Sequence, residues 1–222
     1  MGIMALIIPE GYLVIALHGI IQLVSNSTRS FVFRKDLNRD IISQYFLGAL
    51  IGTFLSGLII IVLIRLFQVD SANEIKVEFL KPLIGVFILW YLFLRSPKKE
   101  KSVESYFGVG GIGGISSIFI GATGPLIAPF FLDNRLTKEY IIANKAACQV
   151  ITHLGKIPLF IFFFNVNYIE NYTLLLPLMI AVFLGTNFGK KILGFIPDNI
   201  FRMLFKYSLT IISLRLIFSD IF

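Results

Sequence analysis

The 222-residue sequence is poor in charge, and poorest where charge would be most informative. Charged residues make up 15% of it, against about 25% in a soluble domain, so a soluble globular protein is excluded and no stretch is left over for a soluble domain. There is one cysteine, Cys148, inside an apolar run. A single thiol excludes an intrachain disulfide and a cysteine metal site, and no metal or cofactor is expected. The first residues lack a basic n-region and an A-x-A site, so they do not read as a cleavable signal. The apolar segments also lack acid: all 13 Asp and Glu fall in loops or at segment ends, apart from Glu10, which follows Pro9. That absence weighs against a cation pathway, which draws on carboxylates or carbonyls.

What remains is apolar and basic. The sequence is 56% hydrophobic with a mean hydropathy of +0.84, and its apolar runs reach about 20 residues, the length a bilayer core demands. Spans are predicted at Tyr12–Val32, Ile42–Leu66, Phe79–Leu94, Tyr140–Phe164, Thr173–Phe188 and Ile200–Phe218. The expected fold class is an all-α polytopic membrane protein, with about six full spans plus half-helices. A net charge of +7 would suggest nucleic acid in a soluble chain. Here the basic loops at Arg34–Arg39, Pro97–Lys101 and Lys190–Lys191 mark the cytoplasmic side instead, and no nucleic-acid partner is expected. The loops at Gln68–Lys76 and Asn165–Tyr172 should lie outside.

Between the third and fourth spans runs Tyr106–Leu132, YFGVGGIGGISSIFIGATGPLIAPFFL. It has the length to enter a membrane, but Gly108, Gly110, Gly111, Gly113, Gly114, Gly121 and Gly124 give it little intrinsic helical stability, and Pro125 and Pro129 remove two backbone donors. Such a segment suits a discontinuous or re-entrant element lining a protein-enclosed cavity. If it crossed the membrane, the loop charges that follow would be on the wrong sides. Entry and exit from the cytoplasm satisfy every loop.

The chain also repeats itself. Aligning Gln22 with Gln149 lays Val14–Phe33 over Ile141–Phe160, so that His18 meets Lys145, Asn26 meets His153 and Arg29 meets Lys156. Met4–Pro9 matches Gly124–Pro129, and the GALIG at Gly48–Gly52 echoes the GTNFG at Gly185–Gly189. On the predicted topology the two halves run in opposite senses, as an inverted repeat: repeat one at 1–95, a basic cytoplasmic linker at 96–105, repeat two at 106–222. The second half opens with the whole glycine element and the first with its tail alone. Either the functional start lies upstream of Met1 or the protein works without that half-helix.

Helical spacing places His18, Gln22, Ser25/Asn26 and Arg29 on one face, and Lys145, Gln149, Thr152/His153 and Lys156 on another. Ionisable groups in apolar segments default to function, although Arg29 and Lys156 could instead snorkel to a membrane face. The stripes hold cations and neutral polar groups, which suits an anion. The Gly121–Ala122–Thr123–Gly124–Pro125 break could add the positive end of a half-helix. Gly108, Gly110 and Gly113 match G-x-G-x-x-G but follow no buried strand, so the dinucleotide reading lacks its context. Ser116 or Ser117 with His153 would suggest an intramembrane protease, but a Ser–His pair requires a geometry that sequence does not supply. The GxxxG spacings at Gly48/Gly52, Gly110/Gly114 and Gly185/Gly189 read as close-packing sites.

At HGIIQLVSNSTRSFVFRKDLN (His18–Asn38), GGIGGISSIFIGATGPLIAPFFL (Gly110–Leu132), NKAACQVITHLGK (Asn144–Lys156) and GTNFGKKIL (Gly185–Leu193) the chain resembles the sulfite exporter TauE/SafE family. The resemblance covers nearly the whole chain. It implies a two-repeat transporter of the bacterial inner membrane, not an enzyme, exporting a small anion such as sulfite or an organosulfonate. By motif position it carries over His18, Gln22, Asn26 and Arg29 from the first repeat, and Gly121, Gly124, Pro125, Gln149 and His153 from the second. Thr123 and Lys145 complete the substrate-binding set from the stripes and the break. His18 and His153 are candidates for proton coupling, because unperturbed imidazoles titrate near neutrality. Expected partners are the bilayer and the anion. The sequence is compatible with a homo-oligomer and does not require one. The alternative is a non-transporting or degenerate membrane subunit that lacks the first half-helix.

Overall fold

A computed structural model describes residue 4 and residues 8–74, 80–94, 103, 105–119, 123–132 and 136–218. These contain eight helices and no strand: α1 (Gly11–Val32), α2 (Arg39–Phe67), α3 (Leu80–Leu89, continued by a wider turn at Trp90–Leu94), α4 (Ser105–Phe119), α5 (Thr123–Phe131), α6 (Lys138–Phe164), α7 (Tyr172–Leu193) and α8 (Asp198–Ile217).

Local chemistry sets the helix ends. The Asn38 side chain accepts from the backbone N–H groups of Asp40 (3.0 Å) and Ile41 (3.1 Å), which satisfies orphan donors at the start of α2. Thr137 does the same for α6, accepting from the Tyr140 N–H at 3.3 Å. Both long helices stop at a left-handed residue, Gln68 (φ 51°) after α2 and Asn165 (φ 52°) after α6.

Contacts give the helix directions. Tyr12 stacks on Phe164 with ring centroids 6.3 Å apart at one end of α1, and Phe33 shares a cluster with Ala143 just beyond its other end, so α1 and α6 are antiparallel. Tyr45 Oη and Thr152 Oγ1 are hydrogen-bonded at 2.7 Å, the backbone N–H of Asn38 donates to Asn144 Oδ1 at 2.7 Å, and Ser71 Oγ donates to the Phe163 carbonyl at 3.1 Å. These three contacts make α2 and α6 parallel. Leu175 packs on Val14 and Leu17, and Lys190 Nζ reaches the Val32 carbonyl at 3.2 Å, so α7 runs with α1. Ile84 and Ile88 of α3 pack on Leu209, and Lys206 Nζ lies 4.3 Å from the Phe93 ring centroid, so α3 and α8 are antiparallel.

The glycine-rich stretch is a helical hairpin. Its first arm, α4, lies parallel to α2, backbone against backbone. A Cβ at Gly114 would stand 2.6 Å from the Ala49 carbonyl oxygen, and one on Gly48, Gly52 or Gly110 would likewise strike backbone across the seam. Ser56 Oγ donates across it to the Ile115 carbonyl at 3.0 Å. The second arm, α5, returns: Ile127 and Phe131 join Tyr106, Val109, Tyr45 and Cys148 in one cluster, and Tyr106 Oη donates to the Phe130 carbonyl at 3.3 Å. The bend at 120–122 lies outside the described residues, as do most of Met1–Pro9 and the basic stretch at 95–102.

One end of the bundle gathers Arg34, Lys35, Arg39, Lys138, Lys190 and Lys191. It is tied together by hydrogen bonds from Asn144 Nδ2 to the Asp36 carbonyl (2.9 Å) and from Arg202 to the Leu136 carbonyl (2.9 Å). The opposite end carries Asp70, Glu74 and Glu170. Among the described residues three helices, α2, α6 and α7, are long and apolar enough to cross a membrane. Leu50, Phe54 and Leu58 of α2 and Leu176, Phe183 and Phe188 of α7 are exposed, an outer surface suited to acyl chains rather than water.

Candidate functional site

A cavity of about 230 Å³ opens where α1, α5, α6 and α8 converge. The antiparallel crossing of α1 and α6 brings their polar stripes together. His18, Gln22 and Arg29 line the cavity from α1, and Lys145, Gln149 and His153 from α6. The third wall is the first turn of α5, Thr123, Gly124 and Pro125, with Ala128 one turn on.

The charge in this lining has one sign. Arg29 and Lys145 are within electrostatic reach of one another, and no acidic side chain is among the described residues of the lining. Lys145 Nζ donates to Gln149 Oε1 at 3.0 Å and sits 6.0 Å from the Phe205 ring centroid. With its oxygen held by Lys145, Gln149 keeps its amide N–H groups for other acceptors. Two cations sharing a partly desolvated space repel each other, and an anion between them reverses the sign of that interaction.

The helix start adds to this field. Backbone N–H groups in the first turn of a helix have no intrahelical acceptor, and the helix dipole places partial positive charge there. A Cβ at Gly124 would come within 2.6 Å of Gln149 Nε2, so a larger residue there would displace the end of that side chain. Pro125, in the same turn, gives up a donor that the helix would not use. Three polar atoms around the cavity have no partner among the described residues: Thr123 Oγ1 and both ring nitrogens of His153, on side chains that are each 2% exposed. Buried polar atoms without partners are rare, and here they belong to residues that line an open volume.

Nine of the eleven residues named from the sequence (His18, Gln22, Arg29, Thr123, Gly124, Pro125, Lys145, Gln149 and His153) therefore line one cavity. Asn26 is fully buried and outside the lining, with its Nδ2 3.4 Å from Gln22 Oε1. Gly121 lies outside the described residues. The sequence reading missed the fourth wall, Phe205, Ser208, Leu209 and Ile212 of α8. Their spacing puts them on one helix face, but in an apolar helix that stripe reads the same whether it meets a cavity or a neighbouring helix.

The two competing site readings meet other geometry. Ser116 Oγ and Ser117 Oγ donate to carbonyls of their own helix, at Ile112 and Gly114, and neither is bonded to His153. Gly108, Gly110 and Gly113 are inside α4, not at a strand-to-helix turn.

Comparison with known proteins agrees with the motifs. The family model described as Sulfite exporter TauE/SafE matches residues 1–216, nearly the whole chain. No curated protein and no solved structure matches it.

Proposed function

The chain belongs to the sulfite exporter TauE/SafE family, and from that premise we propose that it carries a small oxyanion, sulfite or an organosulfonate, through the cavity between α1, α5, α6 and α8. The observation that carries this reading is the lining itself: two cations, two primary amides and a helix N-terminus around one volume, with no acid among the described residues that line it. Oxyanions accept hydrogen bonds all round, and every one of those groups can donate.

In the bacterial inner membrane, the charges of the loops support an orientation with the basic end in the cytoplasm. On that arrangement α1, α2, α3, α6, α7 and α8 all span, and the α4–α5 hairpin enters and leaves from the cytoplasmic side. The antiparallel pairing of α1 with α6, whose stripes match in sequence, supports an inverted repeat with the cavity near its midplane. Transport runs outward, and His18 and His153, which both line the cavity, are the side chains that exchange a coupling proton with the anion's path.

The test is flux into proteoliposomes of the purified protein, comparing sulfite, sulfate, thiosulfate and a sulfonate, with and without a pH gradient. Saturable flux of one sulfur oxyanion, enhanced by the gradient, is the expected result. If no anion moves, the transporter reading falls and the non-transporting subunit takes its place.

A further inference from the structure

The two polar stripes are matched in sequence but not in what they face. His18 and its counterpart Lys145 both line the cavity, as do Gln22 and Gln149. Arg29 lines it at the basic end of the bundle, yet its counterpart Lys156 does not. Lys156 is 1% exposed, between α6 and α1. Its shaft lies against Gly19, where a Cβ would be 3.5 Å from Cε and 3.8 Å from Nζ, and its Nζ is 5.4 Å from the Phe160 ring centroid.

An ammonium in that position is costly. It lies nearer the end of α6 than its start, and at 1% exposed it does not snorkel to headgroups at either face. His18 of α1 and His153 of α6 are within its electrostatic reach, and neither can pair it as an acid would. The ion pair present among the described residues, Lys138–Glu139 at 3.8 Å, is elsewhere. Buried cations inside membrane helices are kept for function, and a structural lysine shaft could be replaced by methionine with better packing. A Cβ at Gly19 would only touch the shaft at ordinary van der Waals distance, so glycine leaves that side of the lysine unconfined.

In an inverted repeat, exchanging the conformations of the two halves exchanges the surroundings of matched residues. The residue that takes over the surroundings of Arg29 is then Lys156, at the other end of the crossing. We infer that Lys156 is a second anion-binding station, closed in the structure described and presented to the oxyanion when the cavity opens at the face opposite Arg29. In the closed position its shaft rests beside Gly19 of α1. This deepens the transport reading above and rests on it.

The experiment is sided kinetics in oriented proteoliposomes, with Lys156→Met, Lys156→Arg and Arg29→Ala beside the wild type. Lys156→Met is expected to raise the KM for the sulfur oxyanion at least tenfold on the face away from the basic end and less than twofold on the basic face. Arg29→Ala should show the reverse, and Lys156→Arg should restore most of the loss. Wild-type protein gives a second readout that does not depend on a variant folding. A membrane-impermeant amine reagent, followed by mass spectrometry, should modify Lys156 from the acidic-end face during turnover, and saturating anion should protect it. Equal KM on both faces in folded Lys156→Met, or a wild-type Lys156 that stays unmodified from both faces during turnover, overturns the inference while the transport reading stands. Absence of flux from the wild type overturns both.

Discussion

The α2–α4 seam and the α1–α6 crossing are built from the same helical material to opposite ends. At the seam, glycine removes side chains so that two backbones touch, with Gly48 and Gly52 against Phe107 and Gly111, and Gly110 and Gly114 against Tyr45 and Ala49. At the crossing, polar side chains keep a volume open between the helices. In a membrane-embedded protein the first arrangement supplies close packing where no hydrophobic drive exists between helices. The second holds costly polar groups that packing alone would not select. The contrast teaches where a substitution should destroy the protein and where it should leave a folded protein without function.

The largest effect belongs to the seam. Gly110→Leu would drive a side chain into the Tyr45 carbonyl and the Ala49 backbone. Overpacking costs about 1–3 kcal/mol even where side chains can yield, and backbone yields less. Loss of the monodisperse peak in detergent is the expected outcome, read by size-exclusion chromatography and thermal melting. A stable Gly110→Leu protein would mean that the seam is not a close contact.

Next comes Arg29→Ala, which should leave the melting temperature within a few degrees and remove anion affinity. A hydrogen bond to a charged group contributes about 1.5–3 kcal/mol, so the affinity should fall roughly 10- to 100-fold. If the melting temperature collapses instead, Arg29 belongs to the scaffold and the contrast between the two regions fails at its most exposed point.

Gly124→Ala falls between the two regions. The new methyl would press on Gln149 Nε2 at 2.6 Å, which a flexible side-chain end can relieve by moving. A several-fold rise in KM with an unchanged melt is expected, and the same steady-state flux assay reads it. The smallest effect should come from Gly185→Leu. Gly185 and Gly189 share the spacing of the seam glycines but meet no described atom within 4 Å. A change within about 0.5 kcal/mol is expected for a substitution that touches nothing, and a large loss would show that α7 has a close neighbour.

That pair shows how far the sequence could be read. Three GxxxG spacings looked alike, yet in the structure described two of them face each other and the third faces open space. Spacing records that a helix can be approached closely and leaves the identity of the approaching helix to tertiary packing. The hairpin was more legible, because glycine, proline and the charges of the flanking loops pointed to the same break and the same return. The stripes on α1 and α6 were legible for a similar reason, since burying polar residues at helical spacing in apolar segments is costly unless they face a shared polar space. Asn26 marks a limit: one turn from Gln22 it shares the stripe, yet it is fully buried and outside the lining. The α8 wall was hidden because Phe205, Leu209 and Ile212 are apolar residues in an apolar helix, and only their neighbours make them cavity walls.

The cavity between α1, α5, α6 and α8 is proposed to hold an oxyanion. Calorimetric titration of sulfite and of a short sulfonate into the detergent-purified protein, wild type beside folded Arg29→Ala, tests it most directly. Saturable binding of at least one of them to the wild type, weakened tenfold or more by Arg29→Ala, is the expected result. Binding of equal strength to both proteins, or none to a correctly folded wild type, would contradict it.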